Sequence, residues 1–109
     1  MSNRKKLEQC LVNEKIIKYV RSDEQFFRFI VEDDVALNIG GDKNVRTNSI
    51  ITTAKFDNMD MVIEKVNYER INNESIITIN DNLKLSFETK SGSCIFISFG
   101  NTIECKILT

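Results

Sequence analysis

The chain resembles itself at a separation of about sixty residues, and a self-similarity of this kind constrains the fold before any single motif does. Leu11-Val-Asn-Glu-Lys-Ile-Ile17 lies on Ile71-Asn-Asn-Glu-Ser-Ile-Ile77, matching Asn13 with Asn73, Glu14 with Glu74, Ile16 with Ile76 and Ile17 with Ile77. With two extra residues in the first copy, Phe27-Arg-Phe29 falls on Leu85-Ser-Phe87 and Leu37-Asn-Ile39 on Ile95-Phe-Ile97. Two copies predict a duplicated β-rich unit closing on itself, because a long solenoid needs more repeats to bury its core.

The period of the apolar residues inside each copy is that of strands. Leu83, Leu85 and Phe87 alternate with Lys84, Ser86 and Glu88, as in a half-buried strand. Ser91-Gly92 reads as a turn, and Ser93 to Phe99 as a strand apolar on both faces, hence covered on both sides. Ile103, Cys105 and Ile107 carry the last strand, and Ser75 to Ile79 precedes the three. The first copy repeats the plan with strands at Glu14 to Val20, Gln25 to Glu32, Val35 to Ile39 and Ser49 to Phe56. Helical spacing marks Asn3 to Leu11 and, behind Asp57 or Asn58 as cap, Met59 to Tyr68, where Met59, Val62, Ile63 and Val66 share one face.

The predicted fold is mainly β. It is an antiparallel sandwich or half-open barrel of about eight strands, built from two α-β-β-β-β repeats over residues 3–56 and 57–108, with two short helices. At 109 residues this is a single domain, 1–109, with one core. Phe29, Leu37, Phe87, Ile95 and Ile97 are expected inside it.

Composition narrows the function by exclusion. Fifteen basic residues against sixteen acidic leave a net charge of −1, so there is no general attraction for nucleic acid, and Arg4-Lys5-Lys6 is the only basic run. No stretch approaches the roughly 20 apolar residues of a membrane span. Glu8, Gln9, Asn13 and Glu14 interrupt anything able to serve as a leader's apolar region. Cys10, Cys94 and Cys105 are odd in number, lack CxxC spacing and sit among apolar neighbours, which predicts reduced thiols and a cytoplasmic protein.

Histidine is absent, which removes the commonest general base and the commonest zinc ligand together. There is no phosphate loop and no GxGxxG; Gly40-Gly41 follows a strand, where a turn explains it. Asp33-Asp34 and Asp57/Asp60 are paired carboxylates of the kind that turns and helix starts use for local hydrogen bonding. The expectation is a protein that is not an enzyme and that takes neither a cofactor nor a metal.

One charge arrangement remains. Asp23, Glu24, Glu32, Asp33 and Asp34 face only Arg21 and Arg28 over residues 21–34, one acidic cluster near each end of a single strand. They form a candidate surface for a basic partner, where complementary charge speeds encounter and fixes orientation. Asp57, Asp60 and Glu64 on the second predicted helix form the alternative patch.

The chain carries the motifs Leu85-x-Phe87-x4-Gly92-x2-Ile95-x-Ile97 and Phe27-x-Phe29-x4-Asp34-x2-Leu37-x-Ile39. In them it resembles the small β-rich immunity proteins of bacterial toxin–immunity systems, such as those of contact-dependent inhibition. The resemblance implies stoichiometric inhibition of a cognate toxin domain, here a basic nuclease, without chemistry of its own. Two other readings share these features. One is a phage-encoded inhibitor of a host nuclease. The other is a small β-barrel around an apolar ligand, against which Phe26, Phe27, Phe29, Phe87, Phe96 and Phe99 stand as fillers of the interior.

Overall fold

The computed structural model describes residues 1–53 and 59–109. It opens with helix α1 (Asn3–Leu11), started by the Ser2 hydroxyl, which accepts a hydrogen bond from the Lys5 N–H at 3.2 Å. The strands follow as β1 (Lys15–Ser22), β2 (Phe26–Val31), β3 (Val35–Gly41), β4 (Val45–Thr52), β5 (Met61–Val62), β6 (Val66–Ile71), β7 (Glu74–Ile79), β8 (Leu83–Thr89), β9 (Cys94–Phe99) and β10 (Thr102–Leu108). All pairings are antiparallel, in one sheet ordered β10-β9-β3-β2-β1-β5 and a second ordered β4-β8-β7-β6. The molecule is mainly β, and one sheet is curved into a half-barrel. The described residues form ten strands, where the sequence pattern predicts about eight.

Strand alternation places the core. Phe27, Phe29 and Val31 of β2 point inward together with Leu37 and Ile39 of β3, Leu85 and Phe87 of β8, and Ile95 and Ile97 of β9. All five residues expected inside are fully buried. Helix α1 packs against both β6 and β10, one edge strand of each sheet, and so closes the gap between them with Leu7 and Leu11.

The chain's two halves exchange a strand. β1-β2-β3 form a meander in the larger sheet, then β4 crosses to the smaller one and pairs with β8. β6-β7-β8 form the corresponding meander in the smaller sheet, then β9 crosses back and pairs with β3. The two crossings hydrogen-bond each other: the Asp42 N–H donates to the Cys94 carbonyl (3.3 Å), the Cys94 N–H to Asp42 Oδ2 (3.1 Å) and the Lys90 N–H to the Asn44 carbonyl (3.3 Å). Even the tight turns correspond, with Asp33 and Asp34 after β2 and Asn80 and Asp81 after β7 all at positive φ. This connectivity does not reproduce the sixty-residue correspondence. That alignment lays β2 and β3 on β8 and β9, yet β2 and β3 are neighbours and β8 and β9 belong to different sheets. The connectivity equates β2 with β7 and β3 with β8, one strand earlier.

The second helix is not formed. Its segment holds β5, a turn and β6 instead. Ile63 is captured by α1's exit, donating to the Glu14 carbonyl (2.8 Å) and accepting from the Asn13 N–H (2.8 Å). Asn80 then clamps the turn: its Oδ1 accepts from the Glu64 and Lys65 N–H groups at 2.8 and 3.1 Å, and its Nδ2 donates to the Val62 carbonyl at 2.8 Å. These tertiary hydrogen bonds override a helical spacing whose β-branched residues favour strand in any case.

Candidate functional site

The two acidic clusters sit at opposite ends of β2. Asp23 and Glu24 occupy the β1–β2 turn, where Asp23 Oδ1 accepts from the Gln25 (2.8 Å) and Phe26 (3.1 Å) N–H groups. Thr47 of β4 ties this turn down, its hydroxyl donating to the Asp23 carbonyl and its N–H to the Glu24 carbonyl. Asp23 therefore has a local reason to be there, shaping the turn with its own carboxylate. Glu32, Asp33 and Asp34 make the exposed turn between β2 and β3, with Asp33 at φ 67° and Asp34 at φ 58°. Short carboxylates tolerate that left-handed backbone better than most side chains.

The second cluster borders a concavity. Between α1, the Glu32–Asp34 turn and β10 runs a groove of about 710 Å³. Val31, Val35, Phe99, Cys10 and Cys105 supply its apolar lining. Glu14, Glu32, Asp33 and Glu104 bring four carboxylates to it, and Lys6 and Lys106 two ammonium groups. The groove is thus acidic in balance, on a chain whose total charge is nearly neutral.

Glu14 and Glu104 are the members that pattern reading missed. Glu104 sits at an irregularity in the β9–β10 ladder between Ile103 and Cys105. That shift turns Ile103 outward, 54% exposed, while Cys105 and Ile107 keep facing in. Simple alternation across 103–107 puts all three on one side and conceals the bulge.

The groove's thiols are held in the protonated form. Burial, then Cys105, Glu104 and Glu14, push Cys10 up to about 12. Burial likewise raises Cys105, against a smaller opposing pull from Lys6. A protonated thiol is neither nucleophile nor metal ligand. Among the described residues no group of three or more His, Cys, Asp or Glu side chains is placed to hold a metal ion.

The alternative patch is not a helical face. Asp60, at φ 39°, precedes β5 and reaches Lys15 at 4.0 Å; Glu64 is exposed in the clamped turn after β5. Asp57 lies outside the described residues. The interior between the sheets is occupied by Phe27, Phe29 and Phe87, each at most 1% exposed, so these rings fill the space an apolar ligand needs, whereas Phe26 and Phe96 lie on the outward face of the larger sheet. No helix among the described residues is long and apolar enough to cross a membrane. Comparison with protein-family models, with curated proteins and with solved structures gives no match.

Proposed function

We propose that this chain is an immunity-type protein. It binds and neutralises a basic toxin domain, stoichiometrically and in the cytoplasm, through the groove between α1, the Glu32–Asp34 turn and β10. The observation that carries the reading is the junction of Glu32 and Asp33 with Glu14 and Glu104 around one apolar-lined concavity. An apolar floor offers burial and an acidic rim offers orientation, the two components of a specific interface with a cationic segment. The resemblance to immunity proteins supplies the class of partner, and the protonated thiols suit a surface that binds without reacting.

The test uses the product of the neighbouring gene. Its C-terminal domain should arrest growth when expressed alone, and co-expression of this chain should restore growth through a 1:1 complex. Glu32→Lys with Glu104→Lys, both exposed, should lower the association rate and flatten its salt dependence. Asp60→Lys with Glu64→Lys should leave the rate unchanged. A neighbouring product that is harmless, or that forms no complex, overturns the immunity reading. Full neutralisation by the Glu32/Glu104 variant overturns the groove.

A further inference from the structure

The outward face of the larger sheet is unlike the rest of the molecule. Inward positions on β2, β3 and β9 are buried, so Phe26, Arg28 and Ile30, Ala36, Asn38 and Gly40, and Cys94, Phe96 and Ser98 point out. β1 adds Lys18 and Arg21 opposite Ile30 and Arg28, and β10 adds Lys106 opposite Phe96. Four cations stand on this face, and none of these paired outward positions is acidic, in a chain of net charge −1.

The aromatic rings are arranged around a gap. Phe26, Gly40, Phe96 and Lys106 form one row across four neighbouring strands. Gly40 is required where it stands, because a Cβ there would fall 2.1 Å from the Gln25 carbonyl oxygen and 2.4 Å from Phe26 Cβ. Beside it lies a hollow of about 240 Å³ bordered by Phe26, Phe96, Arg28, Asn38, Ser98 and Gln25. Two strand spacings separate the phenyl-bearing strands by about 9–10 Å. A flat ring stacked between two others needs about 7–8 Å. Cations ride on the same rings: Arg21 and Arg28 lie 5.6 and 5.0 Å from the centre of Phe26, and Lys106 lies 5.7 Å from that of Phe96. Asn38 Oδ1 accepts from Arg28 Nε at 2.8 Å and steadies that guanidinium at the hollow's edge.

We propose that this face binds single-stranded nucleic acid, one base seated in the hollow bordered by Phe26 and Phe96 and the flanking phosphates on Arg21, Arg28 and Lys106. Aromatic platforms among cations are the sequence-tolerant way to hold unpaired bases. The face shares Lys106 with the rim of the acidic groove, while Phe26, Arg28, Asn38, Gly40 and Phe96 lie outside that groove.

Fluorescein-labelled dT12 and rU12 should raise the anisotropy on titration with the intact protein at 50 mM salt. The affinity should fall toward 200 mM with a log–log slope of about −2 to −3, as for up to four phosphates on a single strand. Phe96→Leu keeps an apolar side chain and loses the ring; it should weaken binding about tenfold, with Phe96→Tyr restoring it. Lys106→Gln should make the slope shallower. Glu32→Lys should not weaken binding. Binding to either strand upholds the proposal. Absence of binding to both at 50 mM salt overturns it. So does equal binding by Phe96→Leu and Phe26→Leu, or displacement by heparin that is as effective on those variants as on the native protein. That pattern describes a surface for acidic proteins or polyanions in general.

Discussion

Phe27 of the larger sheet meets Phe87 of the smaller one edge to face, ring centres 5.2 Å apart and planes at 75°, both rings buried. The contact joins the sheets at their centre, with geometry that aromatic quadrupoles favour. Phe87→Ala should cost about 3–5 kcal/mol in denaturant unfolding. A double-mutant cycle through Phe27→Leu and Phe87→Leu should return a coupling of about 0.5–1.5 kcal/mol. A cost below about 1 kcal/mol for Phe87→Ala is incompatible with this packing.

Asn80 should be the most sensitive polar residue on the smaller sheet's rim. Its side chain closes three hydrogen bonds on residues 62–65 and its backbone sits at φ 51°. Asn80→Ala removes all three and puts a poorer residue in the left-handed region, so a loss of about 2–3 kcal/mol is expected. Asn80→Asp keeps the acceptor and should lie between the two. Amide hydrogen exchange at Glu64 and Lys65 reports the same loss locally.

Two glycines should respond in opposite ways. Gly40→Ala drives a methyl into the Gln25 carbonyl and should cost about 3 kcal/mol, with no small residue able to rescue it. Gly92, at φ +86° with nothing within 4 Å, needs only backbone freedom, so Gly92→Asn should stay within about 1 kcal/mol of the native protein. Thermal melts of the two variants decide the matter.

The thiols give stability a defined dependence on alkali. Cys10 holds its proton more tightly folded, up to about 12, than its ordinary value of 9.0. Between those values the unfolded chain has released a proton that the folded chain retains, so stability is complete below about pH 9 and falls as pH climbs toward 12. Urea midpoints measured across that window should decline less steeply in Cys10→Ala. At pH 8 Cys10 should react with iodoacetamide far more slowly in the folded protein than in urea.

The strands were legible wherever one face is buried and the other is not. Leu83–Thr89 is bounded as its alternation predicts, and Asn3–Leu11 as its apolar spacing predicts. The segment from Met59 to Tyr68 misled because three-and-four spacing of Met59, Val62, Ile63 and Val66 also suits a short strand, a turn and another strand. What selects the latter is an amide side chain at position 80, beyond any local pattern. The site followed the same division. Glu32 and Asp33 were visible as a charge cluster, whereas Glu14 and Glu104 reach the groove through the end of α1 and a bulge in β10, which only the folded chain brings together. The connectivity does not follow the sixty-residue correspondence, because Ile, Leu and Phe at period two match in more than one register.

The exchange of β4 and β9 dictates how the protein can come into being. While only the first half has left the ribosome, β3 has no β9 beside it and β4 has no β8, so two unsatisfied strand edges wait in solution. Neither half offers a self-sufficient sheet as a folding intermediate, and the last strands to be synthesised commit both sheets together.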